Sequence, residues 1–197
     1  MVTVFLNPSN QEYNEYIGGG NEEEYMNLIV DAMIPYLRAS GIQFERSNPW
    51  DSLSEVIEQT NEQPFDYVLT LQSSSAPHEL SGSLRGPEVY YYAFSHRGRS
   101  AAQLVESNLK AIYPHPNLVT SVPNKTSRIL RDTPRPSVLV NLGYHDNETD
   151  AQWIRENVDT IARQLVLSIA EYLGTPFVDV GGTNLFKSGS QYKMGML

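Results

Sequence analysis

Three observations predict a three-layer α/β fold, a mostly parallel twisted sheet flanked by helices. Short apolar runs alternate along the chain with longer segments of helical period. One run, residues 137–142, sets Val138, Leu139, Val140 and Leu142 almost consecutively, as in a strand covered on both faces. Its one interruption is Asn141, just before Gly143, near the carboxyl end of the strand, where open α/β sheets place their ligands.

The elements follow in order. Residues 2–6 form a first strand that ends in the polar loop Asn7-Pro8-Ser9-Asn10-Gln11. Asn21 caps the next helix with Glu24 at its third position, and Met26, Ile29, Met33 and Leu37 mark the buried stripe before Gly41 ends it. Residues 42–45 make a second strand, and a weaker helix through Leu53, Val56 and Ile57 starts near Pro49-Trp50-Asp51-Ser52. A third strand over 65–71 runs into Gln72-Ser73-Ser74-Ser75, a second polar loop, and the Tyr-rich residues 88–94 form a fourth strand. A helix over 98–113 buries Ala101, Leu104, Val105, Leu109 and Ile112. Five prolines punctuate residues 114–136, with a strand expected at 128–130. After the central strand, Thr149 and Gln152 form a capping box for one long helix through Trp153, Ile154, Val158, Ile161, Leu165 and Ile169, stopped at Gly174. The reading is one domain over residues 1–177 and a tail, a linker or poorly ordered end, over 178–197.

The 197 residues suffice to bury a core without disulfides or structural metal. A net charge of -9 argues against nucleic acid as a dedicated partner. No cysteine is present, so thiolate nucleophiles and Cys-ligated zinc are excluded together. The first residues lack the pattern of a signal peptide, and no span reaches the roughly 20 apolar residues of a membrane helix. The expectation is a chain that carries no export signal and does not insert into a membrane.

The segments Asn21-Glu-Glu-Glu-Tyr-Met-Asn-Leu-Ile, Gly86-Pro-Glu-Val-Tyr-Tyr-Tyr and Ser137-Val-Leu-Val-Asn-Leu-Gly-Tyr-His-Asp-Asn, in this order and spacing, resemble the zinc-dependent N-acetylmuramoyl-L-alanine amidases of the amidase 3 family. The resemblance spans about residues 2–177. It implies cleavage of the amide between the muramic acid lactyl group and L-alanine in peptidoglycan. In that family a His after the first strand, a Glu opening the first long helix and a His after a later strand hold zinc, and a Glu on a late strand is the acid/base. Three protein ligands leave an open position where zinc lowers the pKa of bound water to about 7, and the carboxylate moves its proton to the leaving amine.

Carried over residue by residue, Asn10 stands in place of the first His, Glu23 retains the Glu ligand, Gln72 stands in place of the second His, and Asn141 in place of the acid/base. Three of the four positions are then carboxamides. An amide gives zinc only a weak neutral oxygen, and Asn141 accepts no proton near neutral pH. The resemblance therefore implies a degenerate amidase domain that binds peptidoglycan, a muropeptide or a wall-associated partner through Asn10, Gln72 and Asn141, with no cofactor. Two alternatives stand beside it. One is a working amidase with a non-standard metal site, using zinc held by Glu23 and a rearranged ligand such as His145. The other is a structural or interaction module with an empty cleft. Taken alone, Glu23 is a first-turn acid flanked by two others, and Glu23 with three amide oxygens forms a weak calcium set. His145 suits a local hydrogen bond in the turn before a helix, and Ser73–Ser75 lack a catalytic-triad pattern.

Overall fold

The computed structural model of the protein describes residues 1–181. Along the chain run β1 (Thr3–Pro8), α1 (Glu22–Ala39), β2 (Gln43–Arg46), α2 (Leu53–Glu62), β3 (Tyr67–Ser74), β4 (Glu88–Tyr92), α3 (His96–Lys110), β5 (Thr120–Asn124), α4 (Arg128–Arg131), β6 (Ser137–Tyr144), α5 (Glu148–Glu156) and α6 (Val158–Leu173). The six strands form one sheet in the order β2-β1-β3-β6-β4-β5. All neighbouring pairs are parallel except β4 with β6. This is the predicted three-layer α/β architecture.

Alternation along the strands divides the core in two. Val4 and Leu6 of β1, Leu69 and Leu71 of β3 and Val138, Val140 and Leu142 of β6 pack with residues of α1, α3, α5 and α6. Phe5, Val68 and Leu139 face the other way and pack with Val56 and Ile57 of α2 and Ile129 and Leu130 of α4. The second cover is smaller, so the sheet's face beyond it stays open at the carboxyl ends of β1, β3 and β6.

Local chemistry explains most boundaries. The Asn21 side chain accepts from the Glu24 N–H, as expected, and Ser52 with Glu55 makes a reciprocal capping box at α2. Three expectations are corrected. Residues 128–131 are helical, and the strand comes instead from Thr120–Asn124. Pro123 is tolerated there because β5 lies at the sheet edge, where a missing N–H breaks no ladder. The cap of α5 is Asn147, whose side chain accepts from the Asp150 N–H at 3.1 Å, and not Thr149. The long helix is also two helices. At Asn157 the backbone leaves helical geometry and the side-chain Nδ2 donates to the Trp153 carbonyl at 2.8 Å, an alternative to the helical ladder.

Residues 178–181 lie along the domain: the Val178 N–H donates to Ser40 Oγ at 2.9 Å, and Asp179 pairs with Arg163 at 2.7 Å. The remainder of the expected tail, 182–197, lies outside the described residues. No described helix is long and apolar enough to cross a membrane.

Candidate functional site

A cleft of about 490 Å³ opens on the α2 side of the sheet. Its floor is the run of side chains that alternation sends to this face: Asn7 from β1, Thr70 and Gln72 from β3, Leu139 and Asn141 from β6, and Tyr90 from β4. The loop 9–11 and the segment before α2 form its walls. Gln72 and Asn141 are partners in the β3–β6 register, so two carboxamides stand side by side on adjacent strands. Asn7 Nδ2 donates to Thr70 Oγ1 at 3.2 Å and holds the floor between β1 and β3.

Asn141 is 7% exposed, and its Oδ1 has no hydrogen-bond partner among the described residues. An unpaired buried acceptor is costly, and here it lies in the wall of a cleft. Glu88, opposite Asn141 on β4, accepts from the Tyr90 hydroxyl at 2.8 Å and from Tyr144 at 3.4 Å. Burial and the hydrogen bond to the Glu88 carboxylate push the Tyr90 phenol well up, which keeps it a donor.

The structure thus brings together Asn10, Gln72 and Asn141 and leaves Glu23 outside the lining. Glu23 is partly exposed in the first turn of α1, where its carbonyl accepts from Asn27 Nδ2 at 2.7 Å. Asn10 Nδ2 donates to the Pro49 carbonyl at 2.9 Å, across the cleft's wall. The lining contains no imidazole, and its one carboxylate, Asp51, already accepts from the Asn48 N–H at 3.0 Å and Gln59 Nε2 at 2.7 Å.

A second polar cluster lies on the α1 side, and its acid is the neighbour of the expected one. Glu22 is 1% exposed, and its carboxylate accepts from Ser73 Oγ at 2.8 Å and Asn14 Nδ2 at 3.0 Å. Ser73 Oγ in turn lies 3.0 Å from His145 Nδ1, and the Tyr16 ring stacks on the imidazole. His145 therefore does not line the cleft. With its hydroxyl proton directed at Glu22, Ser73 accepts from Nδ1–H and is a tether between β3, α1 and the turn after β6, not an activated nucleophile. Burial lowers the His145 pKa below its ordinary value, against the raising effect of Glu22 and Asp146. Helical spacing carried the signal for Glu22: it precedes Met26 by four residues and so begins the buried stripe.

The turn leaving β6 is held by Asp150, which is fully buried. One carboxylate oxygen accepts from the Gly86 and Tyr144 N–H groups at 2.8 and 2.9 Å, and the other from the Tyr113 hydroxyl at 2.5 Å. A Cβ at Gly143 would meet that carboxylate at 2.8 Å, so the close approach requires glycine.

The sequence profile of the Amidase_3 family, N-acetylmuramoyl-L-alanine amidase, matches residues 9–171. The chain belongs to this family. Solved structures of N-acetylmuramoyl-L-alanine amidases share the fold over most of the chain. N-acetylmuramoyl-L-alanine amidase AmiC2 of Nostoc punctiforme superposes with a TM-score of 0.76 at 20% identity, covering 88% of this chain and 97% of that one. The N-acetylmuramoyl-L-alanine amidase from Clostridium difficile 630 gives 0.77 at 19%, with the same coverage. The CwlD amidase from Clostridioides difficile, solved in complex with the GerS lipoprotein, gives 0.74 at 14%, covering 88% and 99%. No curated protein matches the chain.

The amidase_3 fold implies zinc, and the donor set here does not fit it. Asn10 and Gln72 bring neutral amides, and Glu23 stands outside the cleft lining. Among the described residues, no group of three or more His, Asp or Glu is placed to hold a metal ion.

Proposed function

We propose that this amidase_3 domain binds peptidoglycan fragments in the carboxamide-lined cleft and does not hydrolyse the muramoyl-L-alanine amide. The observation that carries the reading is the pairing of Gln72 with Asn141, whose buried Oδ1 lacks a partner among the described residues. A carboxamide both donates and accepts, which suits the peptide groups of a stem peptide and the acetamido group of an amino sugar. The same groups are poor catalysts: Asn141 takes up no proton, and a missing acid/base alone costs on the order of 10² to 10⁴ in rate. His145 stands with Glu22 and Ser73, away from the cleft lining, which weighs against zinc-dependent hydrolysis through His145. The alternative occupant is a wall-associated protein, a reading that the complex of CwlD with a lipoprotein supports.

The test couples elemental analysis of the purified protein to hydrolysis of purified cell walls with and without added zinc, and to calorimetry with a muropeptide. Muropeptide binding without bound zinc and without release of stem peptides is expected. Zinc-dependent release of stem peptides would overturn the reading, and absence of muropeptide binding would leave a structural module.

A further inference from the structure

We propose that Trp50, held at the cleft's mouth by Asn10, is a stacking platform for a pyranose ring of an N-acetylated glycan strand. The inference rests on the reading that the cleft takes cell-wall fragments. Trp50 is 90% exposed. Single exposed apolar residues are common, but this one stands on a tightly ordered loop. Asn10 Nδ2 donates to the carbonyl of Pro49, the Trp50 N–H donates to Asn48 Oδ1 at 3.2 Å, and Asp51 accepts from Asn48 and Gln59. The capping box of Ser52 and Glu55 fixes the next turn. Among the described residues no hydrogen bond or ring contact holds the indole itself. Ordering a loop costs conformational entropy, and here the order presents a large aromatic face that the domain leaves unpacked.

Position and chemistry select the ligand. Asn48, Asp51 and Leu53, on both sides of Trp50 in the chain, line the cleft, which places residue 50 beside the cleft and just outside its lining. An aromatic face beside a floor of carboxamides matches an amino sugar, which offers C–H groups on one face and hydroxyl and acetamido groups at its edge. A net charge of -9 and the nearby Asp51 and Glu55 disfavour an anionic stacking partner. Asn10 acts here as a positioning residue: the position that the resemblance gives to a metal ligand fastens the loop that carries Trp50.

Acrylamide quenching of tryptophan fluorescence tests this, because Trp153 is buried and Trp50 is the accessible indole. The N-acetylglucosamine tetramer is expected to shield the quenchable signal. Trp50→Ala should weaken tetramer and muropeptide binding about tenfold with an unchanged thermal midpoint, and Trp50→Phe should restore most of it. Asn10→Asp, which removes the donor to Pro49, should lower the fluorescence anisotropy of Trp50 in the free protein. Equal muropeptide affinity in wild type and Trp50→Ala would overturn the platform and leave the cleft reading standing. Loss in Trp50→Ala without recovery in Trp50→Phe would overturn stacking as the cause. Wild-type protein that binds neither tetramer nor muropeptide would overturn both.

Discussion

Replacing Asn141 by leucine should make the protein more stable and deprive it of its ligand. The side chain is 7% exposed and its Oδ1 has no partner among the described residues, so the folded state carries the desolvation cost of a lost hydrogen bond, about 1–3 kcal/mol. Leucine is close to asparagine in shape, carries no polar atom, and would extend the apolar contact of Leu139 on the same face. Leucine also loses the side-chain hydrogen bond between Asn141 and Tyr90, so the net gain is about 1 kcal/mol, a rise in Tm of roughly 2–4 °C for a domain of this size. Urea unfolding measures it directly, with a higher midpoint at an unchanged slope. Calorimetry on the same variant should show no muropeptide binding. A variant destabilised by more than about 1 kcal/mol would refute the reasoning, because it would mean that the wild-type amide is satisfied within the fold.

Three further outcomes are expected. The triple variant Asn10→His, Gln72→His, Asn141→Glu should take up zinc by elemental analysis, and at about 100 times Kd the metal should raise Tm by roughly 5–10 °C, whereas zinc leaves the wild type unchanged. Asp150→Ala strands the N–H groups of Gly86 and Tyr144 and the hydroxyl of Tyr113, so it should cost about 3–5 kcal/mol in chemical denaturation. Stability should also depend on His145. Its folded pKa is lowered by burial, so the unfolded chain binds the extra proton first as pH falls. The contribution is complete above the ordinary histidine value of about 6.5 and is lost below it, toward the lowered folded value. Urea midpoints between pH 8 and pH 5 should fall less steeply in His145→Gln.

Period and punctuation made the sheet legible. The near-continuous apolar run at 138–142 located the central strand, the Asn21 cap located α1, and the segment Pro49-Trp50-Asp51-Ser52 located the start of α2. Edge strand β5 was hidden because its proline signals a loop unless the strand is known to lie at an edge. In the site, the family's segment order marks Asn10, Gln72 and Asn141; strand pairing sets Gln72 beside Asn141, and the loop after β1 brings Asn10 to the same cleft. The Glu22–Ser73–His145 contact was not legible, because it joins three segments 51 and 72 residues apart and depends on which face each strand end turns outward. Burial chose Glu22 from three consecutive glutamates, a choice that local sequence marks only through the helical stripe.

Gln72 and Ser73 are adjacent in the chain yet serve opposite faces of the sheet, one in the cleft and the other in the tether to α1. The frame of the domain is thereby insulated from the contents of its cleft. Residues in the cleft are free to drift from imidazole or carboxylate to amide, or back, while the anchors behind the sheet hold the strand ends in place. A surface organised this way invites redesign: new ligand groups can be tried at 72 and 141 with the scaffold's own contacts left alone.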